Sequence, residues 1–288
     1  MSIGAIDIGG TNVRYAYGDS QGNIHSEVLE EDLESDLKTQ IKQIVEYLEE
    51  ETDLDELSIA TTGVTSEEKI ERLNFVEPGR MEEIDLSGLG YRTNLNNDAN
   101  LGALGEYISS DEERILYVTF STGIGAGLVN EGNIMEGREG NAIKIGAYPL
   151  KPKFSSVTEK TEGAWEDLCG GKGIADFTEL ISDGEHRFSP KELYVAASDN
   201  EEAREYVEQI GRLNAQGLAT AALSFDPDEI VLGGSIALEN PEIFLESIES
   251  EFPRYFPEDY KSPDIRLASR GKNSELVGAL AYTGLDMS

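Results

Sequence analysis

An apolar strand, a glycine turn and a second apolar strand open this chain, and the same succession returns near the middle of its 288 residues. Ile3-Gly4-Ala5-Ile6-Asp7-Ile8 is an apolar run with one acid, Gly9-Gly10-Thr11-Asn12 turns the chain, and Val13 to Tyr17 continues as a strand. Arg114 to Phe120 repeats the first strand and Ser121-Thr122-Gly123-Ile124-Gly125-Ala126-Gly127 the glycine turn. Leu128-Val129 follows, with Asn130-Glu131-Gly132-Asn133 turning again into Ile134-Met135. Two copies of one hairpin predict two related halves, and the chain is long enough for two cores.

The intervening elements agree. Ile24 to Leu29 reads as a third strand after the Gly22-Asn23 turn, and Leu33, Leu37, Ile41, Ile44, Val45 and Leu48 recur at helical spacing. Leu57 to Ala60 is a strand that opens into Thr61-Thr62-Gly63. A closely packed helix begins near Asp98, which reads as its N-cap. In the second half, Ser198-Asp199 caps a long helix through Ala222 that stops at Asp226-Pro227. Glu229 to Leu232 enters the turn Gly233-Gly234, Ile265 to Ala268 is a last strand, and Ser274 to Tyr282 a closing helix. The expected division is 1–110 for a smaller lobe, with the end of the chain (274–288) packing back on it, and 111–273 for a larger one.

Composition narrows the function classes. Fifty-seven Asp plus Glu against 23 Lys plus Arg leave a net charge of -34, spread over every segment. Such a field repels a nucleic-acid backbone and suits a high-salt cytosol, where salt screens it. No apolar run is long enough to cross a bilayer, and the first residues lead into a strand, not a cleavable leader, so a cytoplasmic protein is expected. Cys169 with only His25 and His186 offers no zinc or iron–sulfur ligand set, and reads as a small packed residue.

The glycine turns carry the chemistry. Backbone N–H groups in tight turns hold phosphates well, because a side chain would block the approach of the peptide. Gly9-Gly10-Thr11, Thr122-Gly123-Ile124-Gly125 and Gly233-Gly234 each follow an apolar strand, whereas neither G-x-x-x-x-G-K-[ST] nor G-x-G-x-x-G is present. Asp7, inside an apolar strand, requires a partner, and a hydrated magnesium ion is one candidate.

Asp7-Ile8-Gly9-Gly10-Thr11-Asn12, Asn97-Asp98-Ala99-Asn100 with Leu104-Gly105-Glu106, Ser121-Thr122-Gly123-Ile124-Gly125, and Asp226-Pro227 through Gly233-Gly234 together resemble the ROK (repressor, open reading frame, kinase) family, in its usual order. The resemblance implies an α/β, two-lobed actin-like ATPase (ribonuclease H-like) fold with a ligand cleft between the lobes, and an ATP- and magnesium-dependent sugar kinase. By the same resemblance Asp98 is the general base that takes the proton of the attacking sugar hydroxyl. Asp7 approaches magnesium through water or phosphate. Gly9, Gly10, Thr11, Asn12, Thr122, Gly123 and Gly125 hold phosphate, Gly233 and Gly234 lie against the adenosine, and Gly63, Asn97, Asn141 and Glu166 approach the sugar. Relatives are often dimers or tetramers, and a homo-oligomer, a dimer first, is expected. An N-cap role for Asp98 is compatible with catalysis, and Gly63 reads equally as a simple turn.

Two departures stand out. Where the family commonly has G-N-A-G-E-I-G-H, this chain has Gly140-Asn141-Ala142-Ile143-Lys144-Ile145-Gly146-Ala147, so Lys144 replaces a glutamate and Ala147 a histidine. The family's zinc knuckle is reduced to Gly163-Ala164-Trp165-Glu166, and no zinc site is expected. Lys144 donates hydrogen bonds and accepts none. It therefore points to an acidic or modified sugar, unless it pairs with Glu166 or faces solvent. The reading of another class is a catalytically inactive sugar- or nucleotide-binding regulator. A DNA-binding regulator is disfavoured by the acidic surface and by the position of Asp7, which leaves no room before it for a helix-turn-helix.

Overall fold

Ile3–Ile8 is β1, buried along its whole length, and it pairs antiparallel with β2, Asn12–Gly18. β3 is Leu29–Asp32, not the stretch from Ile24. The difference has a local cause: the Ser26 hydroxyl accepts the Tyr17 N–H at 3.0 Å and occupies a donor that a ladder would use. Only an isolated bridge, Gly18 to Ile24, forms before pairing resumes at Tyr15 and Leu29. The computed structural model describes residues 1–34, 36–66, 68–73, 83–138, 143–150 and 163–284.

α1, Leu37–Glu51, starts where the Asp36 carboxylate accepts the Thr39 N–H, and it buries Leu37, Ile41, Ile44, Val45 and Leu48 on one face. β4, Glu56–Thr61, runs parallel to β1. The short strands β5, Val64–Ser66, β6, Lys69–Arg72, and β7, Ile84–Asp85, form a separate three-stranded sheet. β8, Arg92–Asn97, runs parallel to β4 and leads into α2, Asp98–Tyr107. The first sheet has the order β3-β2-β1-β4-β8, and its core joins Ile6, Ile8, Leu57 and Ile59 to the apolar face of α1.

β9, Arg114–Phe120, β10, Ile124–Asn130, and β11, Asn133–Ile134, repeat the antiparallel opening. The helices α3, Trp165–Cys169, α4, Gly171–Ile181, α5, Pro190–Ala196, and α6, Glu201–Phe225, follow. The cap of α6 is Asn200, one residue beyond Ser198-Asp199: its side chain accepts from the N–H groups of both Glu202 and Ala203. β12, Glu229–Gly233, α7, Gly234–Glu239, α8, Pro241–Glu249, β13, Asp264–Leu267, and α9, Ser274–Tyr282, complete the chain. The second sheet has the order β11-β10-β9-β12-β13, with β12 parallel to both β9 and β13. Each five-stranded sheet is thus a hairpin edge joined to adjacent parallel strands.

Two compact units result: Met1–Glu113 with Gly127–Ala142 and Asn273–Ser288, and Arg114–Ala126 with Ile143–Lys272. In the first, α2 crosses α9 at glycines. A Cβ on Gly278 would lie 1.7 Å from the Leu101 carbonyl oxygen, and one on Gly105 would lie 2.1 Å from that of Ser274. The core of the second contains the fully buried Trp165, set edge-on to Phe120 with ring centres 5.8 Å apart. The Trp165 indole N–H donates to Asn214 of α6 at 2.9 Å.

Candidate active site

In the first unit, the ends of three neighbouring parallel strands lie on one line. Ile8 of β1 pairs with Thr61 of β4, and Thr61 pairs with Asn97 of β8. With strands about 4.8 Å apart, the segments that leave them emerge side by side. They are Gly9-Gly10-Thr11, Thr62-Gly63 and Asp98. Ligands of open α/β sheets bind outside such carboxyl ends. The Gly9 N–H is already committed to the Asn12 carbonyl at 2.9 Å, which closes the hairpin turn.

Asp98 is half-buried and opens α2. The cap is Asn97, not Asp98: the Asn97 carbonyl oxygen Oδ1 accepts the Ala99 N–H at 3.2 Å, and its Nδ2 donates to the Thr61 carbonyl at 3.3 Å. Asn97 has extended backbone and Asp98 is the first helical residue, so Asn97 holds the cap position. Asp98 Oδ1 also accepts the Ala99 N–H, at 2.8 Å. Gly127 of β10 keeps this start in place by contact, since a Cβ there would come within 2.3 Å of the Ala99 carbonyl oxygen.

The partner of Asp7 is Arg14, its direct neighbour across the β1–β2 hairpin. Arg14 also reaches Glu275 of α9 at 3.2 Å. Burial pushes the Asp7 carboxyl up from its ordinary value, while the guanidinium opposes that rise. Burial alone would lower Arg14; the two carboxylates more than offset it and hold the side chain charged. The sequence carried a signal for this pair, because a turn at Gly9 to Asn12 sets position 7 opposite position 14.

In the second unit, β9 ends in the turn Ser121-Thr122-Gly123, closed by the Ser121 N–H donating to the Gly123 carbonyl at 3.0 Å. Gly125 belongs to β10, so the turn is shorter than its glycine spacing implies. Gly170 and Gly171 pack against it: the Gly171 N–H donates to the Ser121 carbonyl at 2.8 Å, and a Cβ on Gly171 would sit 2.8 Å from that oxygen. These two residues were missed in the sequence, where the run Gly170-Gly171-Lys172-Gly173 was the available sign. Gly233 pairs with Thr119 of β9, and Gly234 turns at φ 83° into α7. Cβ atoms at these positions would meet the Tyr117 hydroxyl at 2.0 Å and the Phe120 carbonyl oxygen at 2.3 Å, so both glycines also serve the packing on β9.

Glu166, on α3, is half-buried. Burial pushes its carboxyl above the ordinary value, while the Ile124 N–H that it accepts and, more weakly, the charge of Lys144 oppose the rise. Lys144 is exposed and makes no ion pair with Glu166. Ile143 precedes it at φ 58°, a left-handed conformation that a β-branched residue adopts at a cost of about 1–2 kcal/mol. Asn141 lies outside the described residues.

The residues present suit a polyphosphate in kind, as narrow turns at strand ends with the Thr122 hydroxyl among them. For magnesium the fit is weaker: among the described residues no three His, Cys, Asp or Glu side chains are arranged to hold a metal ion, and the Asp7 carboxylate is already engaged by Arg14.

A family model described as the ROK family matches residues 3–284. The chain belongs to the ROK family. A glucokinase from Pyrobaculum calidifontis is 29% identical over 190 residues, 64% of this chain and 62% of that enzyme, so the match spans less than two thirds of its length. An N-acetylmannosamine kinase from Citrobacter koseri is 29% identical over 250 residues, 83% of this chain and 84% of that one. Among solved structures, a ROK family glucokinase from Streptomyces griseus, in complex with glucose and AMPPNP, matches with a TM-score of 0.82 at 21% identity, over 98% of this chain and 99% of that one. The fold of this ROK protein is the two-lobed actin-like ATPase fold.

Proposed function

We propose that this ROK protein transfers the γ-phosphoryl group of ATP to a hydroxyl of a hexose or hexose derivative, with Asp98 as the proton acceptor. The observation that carries the reading is the placement of Asp98. A half-buried carboxylate opens a helix at the end of a parallel strand, in line with Gly9-Gly10 and Gly63. The glucokinases and N-acetylmannosamine kinases among its relatives support it.

Phosphoryl transfer asks little covalent chemistry of a protein; it needs positioning, a proton acceptor and groups that offset charge. A sugar hydroxyl is a weak nucleophile, and Asp98 removes its proton as the bond to phosphorus forms. Asn97 and the Gly63 loop orient the sugar beside that carboxylate, and Glu166 accepts from its hydroxyls. The turns at Gly10-Thr11 and Thr122-Gly123 bind the phosphates by their backbone, and Gly233-Gly234 border the adenosine. Magnesium bound with the nucleotide would offset charge on the phosphate oxygens, and Asp7, although paired with Arg14, is the carboxylate beside the first glycine turn that could face it through water.

ADP release measured with neutral sugars, amino sugars and sugar acids in molar KCl tests this. Asp98→Asn should lower turnover on the order of 10²-fold or more while ATP binding persists. Retained turnover would remove Asp98 from the mechanism. Silence of the native chain across all acceptors, with ATP still bound, would favour a regulator over a kinase.

The exposed Lys144, beside a glutamate whose carboxyl is raised, favours a second reading in which the acceptor carries a carboxylate or phosphate. Lys144→Glu should then shift preference toward neutral sugars. An unchanged preference would sink that reading.

A further inference from the structure

We propose that Glu136 and Asn96 are positioning residues for Asp98, fixing the first turn of α2 through a hydrogen-bond chain that has one consistent direction. This rests on the reading of Asp98 as the proton acceptor. Glu136 lies two residues after β11, and its Oε1 accepts from Asn96 Nδ2 at 2.6 Å and from the Tyr282 hydroxyl of α9 at 3.4 Å. The other end of the same amide faces α2: Asn96 Oδ1 accepts the Asn97 N–H at 2.7 Å and Asn100 Nδ2 at 3.0 Å.

The direction follows from the donor inventory. A carboxylate only accepts, so Asn96 must present its NH2 to Glu136, and its oxygen is thereby aimed at the helix start. Asn96 and Asn100 are buried, at 6% and 3% exposure, so water is poorly placed to substitute. If the amide turned over, its NH2 would face the Asn97 N–H and Asn100 Nδ2, donor against donor, at a desolvation cost of about 1–3 kcal/mol for each group left unpaired. Asp98 is held between Asn97, whose N–H this amide takes, and Ala99, whose N–H both Asn97 and Asp98 accept. The carboxylate at 136 therefore sets the backbone that carries the base by way of Asn96, from which it lies 40 positions away in sequence. Nothing in the motif Asn97-Asp98-Ala99-Asn100 announces it.

Two variants and two measurements decide. Glu136→Ala removes the acceptor; Glu136→Gln keeps an oxygen that can take the Asn96 NH2. With a sugar that supports ADP release, Glu136→Ala should lose kcat on the order of tenfold, with both KM values within about twofold, and Glu136→Gln should recover most of it. A side chain that served only stability would move the melting temperature and leave kcat alone. Independently of activity, exchange of the Asn97 amide should speed about tenfold in Glu136→Ala while the Ile6 amide in β1 stays slow, which also verifies the fold. Native kcat in Glu136→Ala, or unchanged Asn97 exchange, overturns the proposal. Absence of sugar-dependent ADP release in the native chain overturns the kinase reading instead, and the exchange measurement then decides alone whether Glu136 fixes the helix start.

Discussion

Arg14 sits between two carboxylates, Asp7 and Glu275, in a position only 17% exposed. Removing one partner of a buried ion pair leaves an uncompensated charge, so Arg14→Met should destabilise the chain by about 3 kcal/mol or more in urea unfolding. Adding Asp7→Asn should recover part of that loss; independent, additive effects would show that the pair is not coupled. Glu166 behaves differently, because its carboxyl is raised mainly by burial. The folded state then holds the Glu166 proton more tightly than the unfolded chain does. Its contribution becomes unfavourable as pH rises from the ordinary carboxylate value through the folded one. Glu166→Gln should raise the melting temperature at pH 7, with the gain vanishing near pH 4. An equal gain at both values would mean that titration is not involved. Single residues were unevenly legible: Asp98 and the glycine turns stand in motifs, and Arg14 is readable from the hairpin turn that sets it opposite Asp7, whereas Glu136 reaches Asn96 through a long-range approach that one-dimensional spacing does not display.

Between elements, the crossing of α2 and α9 depends on two missing side chains. Gly278→Ala should cost about 2 kcal/mol or more, since its Cβ would fall 1.7 Å from the Leu101 carbonyl oxygen. Gly88→Ala, with nothing within 4 Å of the added carbon, should be within about 0.5 kcal/mol of neutral. Equal midpoints for both variants would refute tight contact at the crossing. Elements with strong periodicity, such as α1 and α6, were readable nearly to their caps. The last step failed at α2 and α6 for one reason: several Asp, Asn and Ser residues stand in a row, and the residue with extended backbone that caps the helix is Asn97 in one and Asn200 in the other. The short helices α3 and α5 left no comparable trace. α3 spans five residues and α5 seven, too few to display a helical period.

At the scale of the molecule, the repeated hairpin foretold two sheets of the same strand pattern, because glycine turns punctuate both copies alike. The net charge of -34 acts on the whole. The screening length falls from roughly 10 Å at 0.1 M salt to roughly 3 Å at 1 M, so self-repulsion should fade over that range. The unfolding midpoint should rise steadily between 0.1 and 2 M KCl, as followed by circular dichroism; a flat response would reject adaptation to high salt.

The alignment of Ile8, Thr61 and Asn97 on one ladder has a bearing on how such a protein changes over generations. The location of Asp98 is inherited from backbone pairing in the sheet, while residues 62–91 only join two strands that are already paired in register. Insertions there lengthen an excursion without re-aiming the carboxylate, whereas a slip of β8 by one residue along β4 would shift it by roughly 3.3 Å and turn its side chain to the opposite face. Length between β4 and β8 and register along β4 are thus separable variables, so a lineage can rewrite the connection while the position of Asp98 stays anchored in the sheet.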